Sequence, residues 1–217
     1  MRLTKHAHAC VSIEHDGTHL LIDPGTFTPD AAGLLEHASA ALITHEHFDH
    51  LDLDAVSTAM AARDDLAVYG PASAIAALRE RGADAERLRT VGDGDRFEVG
   101  GVPVAVTGTT HASIHDTIAV PENVGYVIAE AIYHPGDSYH LPGTSIETLL
   151  VPASGPWTHM GQAIDFVRAV APRRGVAIHD IMLSEVGHRS VGMFLGEGGP
   201  AGVPLHQLAT SETLELI

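Results

Sequence analysis

The heptapeptide Thr44–His50, "THEHFDH", sets three histidines and one aspartate within six positions, directly after the apolar run "AALI". Imidazole and carboxylate are the donors that a divalent cation such as zinc takes, at about 2.0 to 2.2 Å. His45, His47 and Asp49 alternate along the chain, so an extended loop turns them to one side, with His50 turning away at the start of the next helix. Four adjacent side chains can hardly all reach one ion. The spacing favours two ions, with His45 and His47 on one and Asp49 and His50 on the other.

Two ions need more donors than one loop supplies, and the remainder must come from loops at the same edge of the fold. Three positions qualify, each just beyond an apolar run: His111 after "VPVAVTGTT", Asp137 after "AIYHPG" and His179 after "GVAI". Asp137, between Gly136 and Ser138, is placed to bridge both ions with its two oxygens.

Strands must aim these donors, and the sequence is rich in candidates. "ACVSIEH" and "THLLID" flank Asp16-Gly17, a hairpin signal because Asp-Gly supplies positive φ. "AALIT" is short, continuous and apolar, as in a strand buried on both faces. "LDLDAVSTAMAAR" and "PASAIAALRERG" read as helices, the latter opened by Pro71 and closed by Gly82, with the strand "LAVYG" between them. From Leu88 onward, "RLRTV", "RFEVGG", "VPVAVTG", "VGYVIAE" and "AIYHPGD" are strands split by Gly or Asp. "TLLVPAS" and "GVAIHD" then flank the helix "MGQAIDFVRAVAPRR", and "ETLELI" alternates like an edge strand. This order predicts an α+β fold, an αββα sandwich of two packed mixed β-sheets with helices on the outer faces.

Nothing marks a domain boundary or an internal repeat, so the 217 residues are expected to form a single domain over 1–217. No run of about 18 apolar residues offers a membrane span, and the opening "MRLTKHAHAC" lacks the apolar core of a signal peptide. With Cys10 as the one cysteine, this predicts a cytoplasmic protein without disulfides. Net charge is -16, a field that repels phosphate backbones, so no nucleic-acid partner is expected and a small-molecule substrate is favoured. Lys5 is the one Lys beside eleven Arg, a bias of GC-rich, bacterial genomes.

His45, His47, Asp49 and His50 match, residue for residue, the HxHxDH signature of the metallo-β-lactamase superfamily, which the chain resembles over nearly its whole length. "TTH" at His111, "GD" at Asp137 and "AIH" at His179 follow in the family's order, and Asp23 in "LLIDPG" resembles an aspartate that backs the ligands. The stretches "THEHFDHLD", "YHPGDS" and "LLVPASGPWTHMGQAIDFV" are most similar to small bacterial hydrolases of the ascorbate-6-phosphate lactonase and phospholipase-D-like branch.

The resemblance implies a binuclear metal-dependent hydrolase. One ion would sit on His45, His47 and His111 and the other on Asp49, His50 and His179, with Asp137 shared. It implies zinc, with manganese, iron or nickel as alternatives. A metal-bridging hydroxide would cleave a small ester, lactone or phosphodiester, oriented by Asp49. His47 stands where flavodiiron proteins carry Glu, which favours hydrolysis over redox chemistry. The alternatives are a nuclease or RNA-processing metallohydrolase and a non-catalytic metal-binding module.

Beyond the ligands, His8 in "HAHACV" resembles a family position near the metal pocket, and His159 in "GPWTHMG" is a candidate to protonate the leaving group. Trp157 is a candidate pocket residue. His115, His134, His188 and Arg189 are weaker candidates, and the remaining histidines are assigned to structure or solvent. The reading is compatible with a homo-oligomer.

Overall fold

The structure, a computed structural model, describes residues 1–216. The first sheet collects β1 (Arg2–Ala7), β2 (Cys10–His15), β3 (Thr18–Ile22), β4 (Ala40–Leu42), β5 (Ala67–Gly70) and β6 (Leu88–Thr90). The second collects β7 (Arg96–Val99), β8 (Val102–Thr107), β9 (Gly125–Ile128), β10 (Ile132–His134), β11 (Thr148–Pro152), β12 (Arg174–Ile178) and β13 (Leu205–His206). A final strand, β14 (Glu212–Glu215), returns to β1, so both sheets have seven strands, ordered 14-1-2-3-4-5-6 and 13-12-11-10-9-8-7. Helices α1 (Ala31–His37), α2 (Leu53–Ala62) and α3 (Ala72–Glu80) follow strands of the first sheet, and α4 (Met160–Val170) and α5 (Glu185–Leu195) those of the second.

Period-two alternation explains the layers. Leu20, Ile22 and Leu42 pack against Val104, Tyr126, Leu150 and Ile178 between the sheets. Their neighbours Leu21, Ala41 and Ile43 face the other way, onto Leu35, Val56 and Ile75 of α1 to α3. In the second sheet Leu149 and Val151 turn outward onto Phe166 and Val167 of α4 and Leu195 of α5. This is the expected αββα sandwich. Each such fully buried aliphatic side chain contributes about 1.5 to 3 kcal/mol, so the central strands are stiff mounts for whatever their ends carry.

Four elements were not anticipated. β1 holds buried Lys5 and His6 in a run that reads as polar, and its hairpin to β2 turns at His8-Ala9 with no Gly or Asn to announce it. The seven-residue α1 is interrupted by Gly33, α5 leaves Val186 and Met193 exposed, and β13 has only two residues. His50 does not begin a helix: it closes a turn in which the His50 and Leu51 amides both donate to the His47 carbonyl. The helix starts later, at Leu53, because the Asp52 carboxylate accepts from the Asp54 and Ala55 amides. The tail strand ends at Glu215; Ile217, included in the expected run, lies outside the described residues.

Candidate metal centre

The edge where both sheets end gathers eight donor side chains into two groups. His45, His47, His111 and Asp137 form one, and His8, Asp49, His50 and His179 the other; within each, the donor atoms lie within 4.8 Å of one another. A tetrahedral ion with bonds of 2.0 to 2.1 Å would space its ligands about 3.3 Å apart. The separations bracket that value. His45 Nε2 is 3.0 Å from His47 Nδ1, and His111 Nε2 is 3.3 Å from Asp137 Oδ2. In the second group Asp49 Oδ2 lies 3.1 Å from His8 Nε2, 3.5 Å from His179 Nε2 and 3.8 Å from His50 Nε2. Asp137 stands between the two, with Oδ1 3.2 Å from His50 Nε2 and Oδ2 3.0 Å from His179 Nε2.

Hydrogen bonds behind the rings fix which nitrogen faces inward. His111 Nδ1 donates to the Ala112 carbonyl at 2.6 Å, and His50 Nδ1 to Asp23 Oδ2 at 2.7 Å. The Thr44 hydroxyl donates to Asp23 at 2.7 Å and accepts from His45 Nδ1 at 3.0 Å. All three rings therefore turn Nε2 toward the centre. Three buried atoms, His50 Nε2, His179 Nε2 and Asp137 Oδ1, have no hydrogen-bond partner among the described residues. Leaving such groups unsatisfied costs about 1 to 3 kcal/mol each, which a cation in their midst would offset. The donor set fits two divalent ions.

Charge at the centre leads to the same conclusion. Burial lowers the pKa of His8, His45 and His47 and keeps them neutral. Burial also opposes charge on His50, yet the carboxylates of Asp137 and Asp23 raise its pKa well above the usual imidazole range. His179 goes up to about 9, burial being outweighed by Asp137 and Asp49. Asp49 and Asp137, despite burial, are held below the usual carboxylate range by the surrounding imidazoles. Two carboxylates thus recruit positive charge, and protons occupy places a metal ion would compete for.

Backbone geometry shows how the donors get there. His8, Asp23 and His179 have φ of 51°, 51° and 53°, a left-handed region that costs a non-glycine residue about 1 to 2 kcal/mol. The His179 amide donates to the His8 carbonyl at 2.9 Å, and their rings pack with centroids 3.8 Å apart. The two sheets are stitched together at the centre itself. Gly25 is required here: a Cβ would come within 1.9 Å of the Asp49 carbonyl oxygen. Gly136, at φ 63°, allows Thr44 and Asn123 to close over it so that Asp137 can enter.

Trp157, a candidate pocket residue, is buried and donates from Nε1 to Asp137 Oδ2 at 3.0 Å. His134 is buried behind the centre, donating to the Ala9 carbonyl at 3.0 Å and accepting from the Gly136 amide at 3.1 Å. His159 is exposed at the N-cap of α4, outside both groups. His115 bonds Thr117, His188 bonds Gln207 and Arg189 lies 4.0 Å from Glu185, so none of the three joins the centre. Sequence reasoning missed Thr44 as the relay between Asp23 and two rings, and Lys5, which pairs with Asp180 beside His179. That Lys5 is the one Lys of the chain was the available signal for the second.

Two packed mixed sheets, helices outside and a ligand cluster at one edge define the metallo-β-lactamase fold class. A model of the beta-lactamase superfamily domain matches residues 2–179, ending on the last residue of the cluster, and the chain belongs to that superfamily. Protein Rv0786c of Mycobacterium tuberculosis is 35% identical over 189 residues, covering 85% of this chain and 86% of its own. A UPF0173 metal-dependent hydrolase of Pyrobaculum arsenaticum is 28% identical over 197 residues, 82% of this chain and 84% of its own. The structure of Igni18, a metallo hydrolase from Ignicoccus hospitalis, matches with a TM-score of 0.71 at 20% identity, over 100% of this chain and 99% of that one.

Proposed function

We propose that the protein is a metal-dependent hydrolase that holds two divalent ions, zinc foremost, and cleaves a small-molecule ester, lactone or phosphodiester. The observation that carries this reading is the convergence of eight inward-facing donors in two groups that share Asp137. When bound, two such ions supply Lewis acidity and a water acidified toward neutral pH.

The chain's own residues do the rest. His45, His47, His111 and Asp137 would hold one ion and Asp49, His50 and His179 the other, with His8 as the latter's fourth ligand. Asp49 is the more open of the two carboxylates, its side chain 16% exposed against 4% for Asp137, and so is the one placed to accept a hydrogen bond from an incoming water and turn it toward substrate. Trp157 keeps Asp137 Oδ2 pointed into the centre, and Asp23 through Thr44 keeps His45 and His50 in the receptive tautomer. His159, at the mouth of α4, is the candidate donor to the leaving group. Support for hydrolysis comes also from the metal-dependent hydrolase of Pyrobaculum arsenaticum.

Elemental analysis of the purified chain together with turnover of a panel of esters, lactones and phosphodiesters tests the reading. We expect about two transition-metal ions per chain, loss of turnover on chelation and recovery on adding zinc. A chain that holds no transition metal, or that turns over equally well when stripped, would sink it.

A further inference from the structure

The rim of the centre carries an unusual surface for so acidic a chain. Of the eleven large apolar side chains exposed among the described residues, eight lie on five loops that carry or buttress the cluster. They are Phe27, Phe48, three between Ile114 and Val120, Leu141 after Asp137, and Ile181 with Met182 directly after His179. Phe48 sits inside the ligand heptapeptide, its ring edge-on to Phe27 at 5.5 Å, and Phe27 is edge-on to His8 at 5.4 Å. An unbroken line of rings runs from solvent to a donor of the second group. The Thr26 amide donates to the Phe48 carbonyl at 2.8 Å, which holds the pair in place.

Charge provides a second, independent observation. The loops spanning 23–30, 44–52, 108–124, 135–147, 153–159 and 179–184 contain no Lys or Arg at all. The cation closest in sequence to a ligand, Lys5, is buried and engaged by Asp180. A phosphate or carboxylate on the substrate would find no Lys or Arg on these loops, whereas anion-recognising sites normally supply Arg or Lys. What the rim offers is apolar surface beside a hydrolytic centre.

Building on the hydrolase reading, we propose that the substrate is an uncharged carboxylic ester, open or cyclic, whose apolar arm lies on the Phe27–Phe48 rim. Its hydrolysis balances with water alone. The water oxygen bonds to the carbonyl carbon, the acyl–oxygen bond breaks, one water proton goes to the departing alkoxy oxygen, and the acid loses the other to solvent. The rim holds the arm and leaves the carbonyl at the cluster.

Calorimetric titration of the full chain with butanamide, hexanamide and octanamide tests this without turnover. We expect affinity to rise about twofold to fourfold per methylene, octyl phosphate to bind more weakly than octanamide, and Phe48→Ser to weaken octanamide at least fivefold. Phe48 is 63% exposed, so this change leaves the core intact, and Phe27→Ser is the second variant. Affinity independent of chain length, unchanged affinity in both variants, or tighter octyl phosphate overturns the proposal. Turnover of p-nitrophenyl esters against bis(p-nitrophenyl) phosphate separates the two ideas. Length-dependent binding with no turnover of any substrate defeats the hydrolase reading and supports the rim; phosphodiester turnover without amide binding does the reverse.

Discussion

In the first sheet β1 runs out to His8 and β3 to Asp23; in the second, β8 runs out to His111 and β10 to Asp137. These strands occupy matching places. Read from β14 and from β7, each sheet has three antiparallel pairings followed by three parallel ones, so β1 corresponds to β8 and β3 to β10. A plan repeated twice has delivered a histidine and an aspartate to the same edge from each half. The halves then diverge. Asp137 reaches between the two donor groups, while its counterpart Asp23 stays behind them, accepting from the Thr44 amide and hydroxyl and from His50. Strand position decides which residues can reach the centre; the local turn decides whether they join a donor group or stand behind it.

Exchanging carboxylate for amide at the two matching positions is the sharpest way to break this comparison. Asp137→Asn removes a charge shared by both groups, and we expect kcat/KM to fall about 10⁴-fold, equivalent to about 5.4 kcal/mol, with fewer than two ions retained. Asp23→Asn should cost only about 10-fold to 100-fold in metal affinity or activity, the usual range for a residue that orients a ligand. Equal losses in metal analysis and kinetics would mean that the two aspartates do the same work and that the distinction is wrong.

The halves are also clamped by a buried charge pair, Lys5 of β1 with Asp180 beside His179. Lys5→Met leaves Asp180 buried without its partner, and urea unfolding should show a loss of about 3 to 5 kcal/mol. Adding Asp180→Leu should recover most of it, since an apolar pair of similar volume is tolerated. A single variant as stable as the parent would show that the clamp contributes nothing to holding the halves together.

His8 and His111, the matched histidines, should each govern a different ion. In titrations against a competing chelator we expect His111→Ala to weaken one binding event about 100-fold, or about 2.7 kcal/mol, and His8→Ala the other. Cobalt substitution reads the same split as loss of separate absorption bands. Both variants weakening a single event would reassign His8 to the first ion.

This pair also shows what the sequence could and could not reveal. His111, Asp137 and His179 announce themselves because each is a costly polar residue set a few positions or less past an apolar run. The sandwich was readable because Leu20–Ile22, Ala41–Ile43 and Leu149–Val151 alternate or run apolar in the manner of doubly buried strands. His8 was harder to place. Its strand is masked by Lys5 and His6, whose burial depends on Asp180 and Ser12, partners 175 and 6 residues away. Its turn takes a left-handed residue without the customary Gly or Asn, because its carbonyl is spoken for by the His179 amide. α5 escaped for the opposite reason: Val186 and Met193 spoil its periodicity by staying exposed. Beyond the pairs His8/His111 and Asp23/Asp137, the repeated sheet plan leaves no trace in the residues, since it is pairing directions that are shared.

His159 marks the smallest expected effect and the place where the halves differ most. The strand matching β4 is β11; β4 leads into the donor-rich heptapeptide, whereas β11 leads to a loop that gives Trp157 to Asp137 and leaves His159 in solvent at the N-cap of α4. A positioned general acid contributes about 10² to 10⁴, but an exposed one competes with bulk water as proton donor. We therefore expect His159→Ala to lower kcat/KM only about fivefold, and selectively. Alkyl esters, whose departing alkoxide needs a proton, should slow, and p-nitrophenyl esters, whose leaving group departs unprotonated, should not. Equal slowing on both would make His159 a structural cap of α4, and no slowing on either would hand the proton to water, leaving the second half's matching loop a support for Asp137 alone.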